Sequence, residues 1–82
     1  MPTIARIFGF RVVIYFNDRR PAHVHVIRNA CEAVFSLHRG PAAMRLSENY
    51  GFKRKEVATI KKALTKILPA LWAAWTDIHG PR

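Results

Sequence analysis

The chain has 82 residues, half of them apolar, which suits one domain over residues 1–82 with a single modest core. One cysteine, Cys31, excludes an internal disulfide, and no apolar run reaches the roughly 18 residues of a membrane-spanning helix. Fourteen Lys and Arg against five Asp and Glu leave a net charge of +9, a field that draws polyanions whatever the fold.

In chain order, MPTIARIF carries Arg6 in its middle and no small-residue cleavage site, so no signal peptide and a cytoplasmic location are expected. Its TIARIF portion suits a short strand. FGFRVVIYF, rich in β-branched and aromatic residues, predicts a strand, and NDRRPA after it is turn chemistry. HVHVIR and CEAVFSL alternate on either side of Asn29-Ala30 and predict a hairpin. HRGPAAM, with Gly40 and Pro41, reads as loop.

From about Phe52 the period changes. Val57, Ile60, Leu64, Ile67, Leu68, Leu71, Trp72, Trp75 and Ile78 recur at spacings of three and four, the pattern of an amphipathic helix whose tryptophans belong to the core. Pro69 removes a hydrogen bond to the Thr65 carbonyl, so the helix kinks or divides near Leu68. Lys53, Arg54 and Lys55 crowd the first turn, where the helix dipole favours anions, and form a candidate contact surface for nucleic-acid phosphates. The expected fold is α+β, an antiparallel sheet of three or four strands with a kinked C-terminal helix or helix pair packed on one face.

Alternation sorts the strand residues into two faces. With Asn29-Ala30 as a two-residue turn, Arg28 opposes Cys31, Ile27 opposes Glu32, His25 opposes Val34 and His23 opposes Ser36. Val24, Val26, Ala33, Phe35 and Leu37 then share the core face with Phe10, Val12, Ile14 and Phe16. The other face collects His23, His25, Glu32, Ser36 and His38, joined by Arg11, Val13 and Tyr15. It is expected to be a wet, uncovered polar surface, with His79 apart from it near a helix C-terminus.

Such a face suits three chemistries. A metal-independent ribonuclease needs a base, an acid and a cation for the crowded phosphate. Those roles fall to His25 and His23 as acid–base residues and to Arg11, Arg19 and Arg20 as phosphate contacts, with Tyr15, Glu32 and His38 in support. This chemistry needs no cofactor and no metal. The same residues suit binding of nucleic acid or protein without catalysis. Metal binding through His23 and His25 is the third reading, with His38 or Glu32 as a further ligand. Histidines on a solvated strand with no role are the plain alternative to all three.

MPTIARIFGFRVVIYFND followed by PAHVHV, EAVFSL, NYGFKRKEV and a terminal Trp75-x-x-Ile-His-Gly resembles the small bacterial family known as domain of unknown function 4160. The resemblance covers nearly the whole chain. It rests on Asn17, Asp18, Pro21, His23, His25 and Val26, and on Gly51-Phe52 before the helix. Three positions depart from the family pattern: Ala22 replaces a second proline, Ser36 an aromatic, and Lys53 a capping Ser or Thr, although Glu56 three residues on is kept. The resemblance implies a toxin-like component of a bacterial toxin–antitoxin module, since members often neighbour another small family, number 2442, in such pairs. RNA or the translation machinery is then the target, and a small acidic antitoxin-like protein the partner. Oligomeric state is not legible.

Overall fold

The computed structural model describes residues 3–7, 9–15, 21–38 and 44–80. Five strands, β1 (Thr3–Ile7), β2 (Phe10–Val13), β3 (His23–Arg28), β4 (Cys31–Leu37) and β5 (Met44–Tyr50), precede two helices, α1 (Arg54–Lys66) and α2 (Leu68–His79). Every strand pairs antiparallel with its neighbour in sequence, in the order β1-β2-β3-β4-β5. The α+β class holds, but the sheet has five strands, not three or four.

The β3–β4 hairpin has the expected register, with Arg28 opposite Cys31, His25 opposite Val34 and His23 opposite Ser36. Asn29 turns the chain with φ at 52°, a left-handed conformation that asparagine tolerates better than most residues. Beyond the last ladder pair, the Leu37 amide donates to the Ala22 carbonyl at 2.8 Å and carries the pairing one step further.

The additional strand is β5. Met44, expected to close a loop, opens it, while residues 39–43 lie outside the described residues. Two features hide it from a reading of periodicity. A bulge falls where Val34 pairs with Glu48 but Phe35 with Leu46, so Ser47 is extra and the alternation breaks. As an edge strand it also buries only Met44.

Both helices pack on the face carrying Phe10, Val12, Ile14, Val24, Val26, Ala33, Phe35 and Leu37, and contribute Ile60, Leu64, Leu71 and Trp75 to one core. Each fully buried large apolar side chain contributes about 1.5–3 kcal/mol by leaving water. Phe16, assigned to this core by alternation, lies outside the described residues. The predicted break falls at Ile67, where α1 ends and α2 begins. Pro69 sits in the first turn of α2, where a missing N–H has no intrahelical partner to lose. The Leu71 amide, the first to find a partner, donates to the Ile67 carbonyl at 3.0 Å.

The start of α1 is fastened without a capping hydroxyl. Lys53 has no acceptor to offer the helix, but Glu56 accepts from the Lys53 amide at 2.9 Å, one half of a capping box. Glu56 also pairs with Arg28, the last residue of β3. The Arg28 guanidinium lies 4.7 Å from the centre of the Phe10 ring, which meets Phe52 edge-on at 5.5 Å. The amide hydrogen bond from Lys53, with help from Arg28, holds the Glu56 carboxyl below its ordinary pKa. Gly51 makes the turn between β5 and α1 at φ +101°, and a Cβ there would stand 2.9 Å from the Cys31 sulfur, so only glycine fits. Among the described residues no helix is long and apolar enough to cross a membrane.

Candidate functional site

The face turned away from the helices is ordered in rows by the pairing. Arg6, Arg11, Ile27, Glu32 and Tyr50 form one row across the five strands. Val13, His25, Val34 and Glu48 form the next, and His23, Ser36 and Arg45 follow.

At its centre His25 Nδ1 donates to Glu32 Oε2 at 2.8 Å. Glu32 lies diagonal to His25 across the hairpin, since it pairs with Ile27, and the reach of both side chains closes the gap. The His25 side chain is 14% exposed and Glu32 38%, so the carboxylate meets solvent and the imidazole sits beneath it. His23 Nδ1 donates to the Pro21 carbonyl at 2.8 Å. Because that oxygen can only accept, and Glu32 accepts likewise, a neutral His23 or His25 carries its lone pair on Nε2.

The rings form a continuous row. Tyr15 meets His25 at 4.6 Å, His25 meets His23 at 5.3 Å, His23 meets Trp75 at 5.4 Å, and Trp75 meets His79 at 4.1 Å. His79 Nε2 donates to the Tyr15 carbonyl at 3.2 Å. Two expectations are corrected here. His79 does not stand apart: α2, turned back at Ile67, carries Trp75 and His79 to the end of the sheet where β3 begins. Nor is the face uniformly open and wet: Arg6, Arg45, Glu48 and Tyr50 are exposed, but its centre is covered. Val13 is fully buried, and Tyr15, His23, His25, Ser36 and His38 are all half-buried, because large rings lean on one another over small strand residues.

Farther along, the Ser36 hydroxyl lies 2.9 Å from His38 Nε2 and donates to the Arg45 carbonyl at 3.4 Å. On β5 the Tyr50 hydroxyl donates to Glu48, and that hydrogen bond, with the carboxylate's charge, raises the tyrosine pKa above its ordinary value.

Of the residues singled out by sequence, His23, His25, Tyr15, Glu32 and His38 gather on this face, with Arg11 half-buried one row away. Arg19 and Arg20 lie outside the described residues. Lys53, Arg54 and Lys55 are exposed at the other end of the sheet: Glu56 beside them holds Arg28, five strand residues or about 17 Å from His23. The histidines and this basic cluster are therefore separate surfaces. Sequence reasoning missed Trp75 and His79 as neighbours of the histidines, and Arg45, Glu48 and Tyr50 on the same face. Only the register of β5 and the path of α2 could have placed them. Among the described residues no group of three His, Cys, Asp or Glu is placed to hold a metal ion.

Residues 9–76 match the sequence profile of the family described as Domain of unknown function (DUF4160). Comparison with curated proteins and with solved structures returns no match.

Proposed function

We propose, for a chain that belongs to the DUF4160 family, that the histidine face is a metal-independent acid–base site acting on RNA. In this reading the protein is a toxin-like, cytoplasmic component of a bacterial two-protein module. The observation that carries it is the His25–Glu32 pair at 2.8 Å. Glu32 accepts the hydrogen bond from Nδ1, which leaves the lone pair of a neutral His25 on Nε2, the atom that takes the base role.

His25 takes the proton of a ribose 2′-hydroxyl. The freed oxygen bonds to the adjacent phosphorus, and the bond from phosphorus to the 5′-oxygen breaks. Protonated His23, its ring 5.3 Å from that of His25, gives its Nε2 proton to the leaving oxygen. The products are a 2′,3′-cyclic phosphate and a free 5′-hydroxyl. Arg11, Arg19 and Arg20 supply guanidinium groups for the charge that builds on the phosphate. The +9 charge supports a polyanionic substrate and a small acidic partner that neutralises the chain.

A second reading, binding of RNA or protein without turnover, draws on the Tyr15–His25–His23–Trp75–His79 row, which is also an ordinary way to pack rings. Incubation with single-stranded RNA in excess chelator separates the two. Catalysis predicts the cyclic-phosphate product, and a rate lowered about 100-fold or more in His25→Ala with affinity and melting temperature unchanged. If no product forms, and affinity follows the Arg and Lys variants with a steep salt dependence, the binding reading replaces it.

A further inference from the structure

On the helix side of the sheet, edge strand β1 and helix α1 leave a groove of about 540 Å³. That lies inside the span of about 300–1,000 Å³ typical of binding clefts. Its walls are Ile7 from β1, Thr59, Lys62, Ala63 and Lys66 from α1, and Ile67 at the helix junction. Ile7 and Ile67 rest on the core yet are only partly buried by it, so the floor is aliphatic and still meets water. Lys62 and Lys66 are exposed and one helical turn apart, which lines their ammonium groups along one rim.

Among the described residues the groove does not compensate that charge, since none of those lining it is acidic. Glu56, the one acid of α1, sits in its first turn and is engaged by Arg28 and the Lys53 amide. Like charges at this spacing repel, and a carboxylate bridging them relieves that repulsion.

We infer that this groove docks an acidic amphipathic segment of a protein partner. Its apolar side chains rest on Ile7, Ala63 and Ile67, and its carboxylates meet Lys62 and Lys66. Charge complementarity selects an anionic occupant, and the aliphatic floor selects among anions. Single-stranded nucleic acid is gripped by stacking bases on aromatic rings, and no described lining residue is aromatic. Lysine suits the rim, because its methylene stem covers apolar surface while its head reaches the partner. An amphipathic helix laid in a groove uses this division of labour. The site is independent of the histidine face: Ile7 pairs with Phe10, on the side of the sheet that His25 turns away from.

The test uses the full chain and a fluorescein-labelled peptide with leucines at helical spacing flanked by glutamates, read by anisotropy and amide shift mapping. Shifts should centre on Ile7, Ala63 and Ile67. Lys62→Glu combined with Lys66→Glu should weaken binding about tenfold or more. Thr59→Trp, filling the groove from an exposed position without altering charge, should weaken it comparably. Equal binding of a peptide whose leucines are replaced by serine would overturn the inference. So would shifts centred on Lys53, Arg54 and Lys55, undiminished affinity in the double variant, or single-stranded RNA occupying the groove more tightly than the peptide.

Discussion

Arg28 and His25 lie three residues apart on β3, and each holds a glutamate, but on opposite faces and with different reach along the chain. Glu56, the partner of Arg28, is 28 residues away, while Glu32 is seven residues from His25 across a hairpin. Arg28 therefore ties helix α1 to the sheet, and its guanidinium lies over Phe10 while Glu56 caps the helix. Removing it opens the contact between the start of α1 and the end of β3. The hairpin already sets the register of His25 and Glu32, so their bond adds no new connection to the fold. Two acid–base pairs of similar composition thus differ in dependence: one supports the architecture and the other is supported by it. The proposed chemistry falls on the supported pair.

The largest effect that would break this contrast belongs to the histidine face. Glu32→Gln should reduce RNA cleavage about tenfold, less than His25→Ala, while leaving the denaturation midpoint in place. If Glu32→Gln instead unfolds the protein, the contrast is wrong. Next comes Arg28→Ala, expected to lose about 0.5–1 kcal/mol in urea denaturation through the stacking on Phe10. Its RNA cleavage should stay within about twofold of the parent at temperatures where it is folded.

Acid sharpens the comparison further. Because folding lowers the Glu56 pKa, its stabilising contribution is complete above the unfolded glutamate value of about 4.3 and disappears as pH falls through the lowered one. Stability measured downward from pH 5 should fall, and Glu56→Gln should flatten part of that slope. An unchanged slope would mean that the bonds from Lys53 and Arg28 do not favour the ionised form. The smallest effect is spectroscopic. The ultraviolet titration of Tyr50 should lie above the ordinary tyrosine range and move down in Glu48→Gln with no change in stability, since Tyr50 is 58% exposed. A titration that ignores the Glu48 change would show that their hydrogen bond does not persist in solution.

The reading of the hairpin succeeded because its information is local. Alternation assigns the faces, one two-residue turn sets the register, and the two together place His25 beside Glu32. The helix pair was legible for similar reasons, since a period of 3.6 and one proline mark the helix and its break. The basic residues at the helix start were also visible, but not their separation from the histidines, which depends on where α1 lands on the sheet.

By itself, then, the sequence determined the α+β class, the two faces of the central strands, the break beside Pro69 and the gathering of three histidines with one glutamate. These follow from periods and turns spanning a few residues. Tertiary structure alone decided the fifth strand, which a bulge and an edge position strip of alternation. It also decided the Arg28–Glu56 clamp, the groove beside β1 and the meeting of His79 with Tyr15 across 64 residues. The physical reason is common to these cases: side chains far apart in the chain meet only after helices dock on the sheet, and no local pattern encodes where that docking brings them.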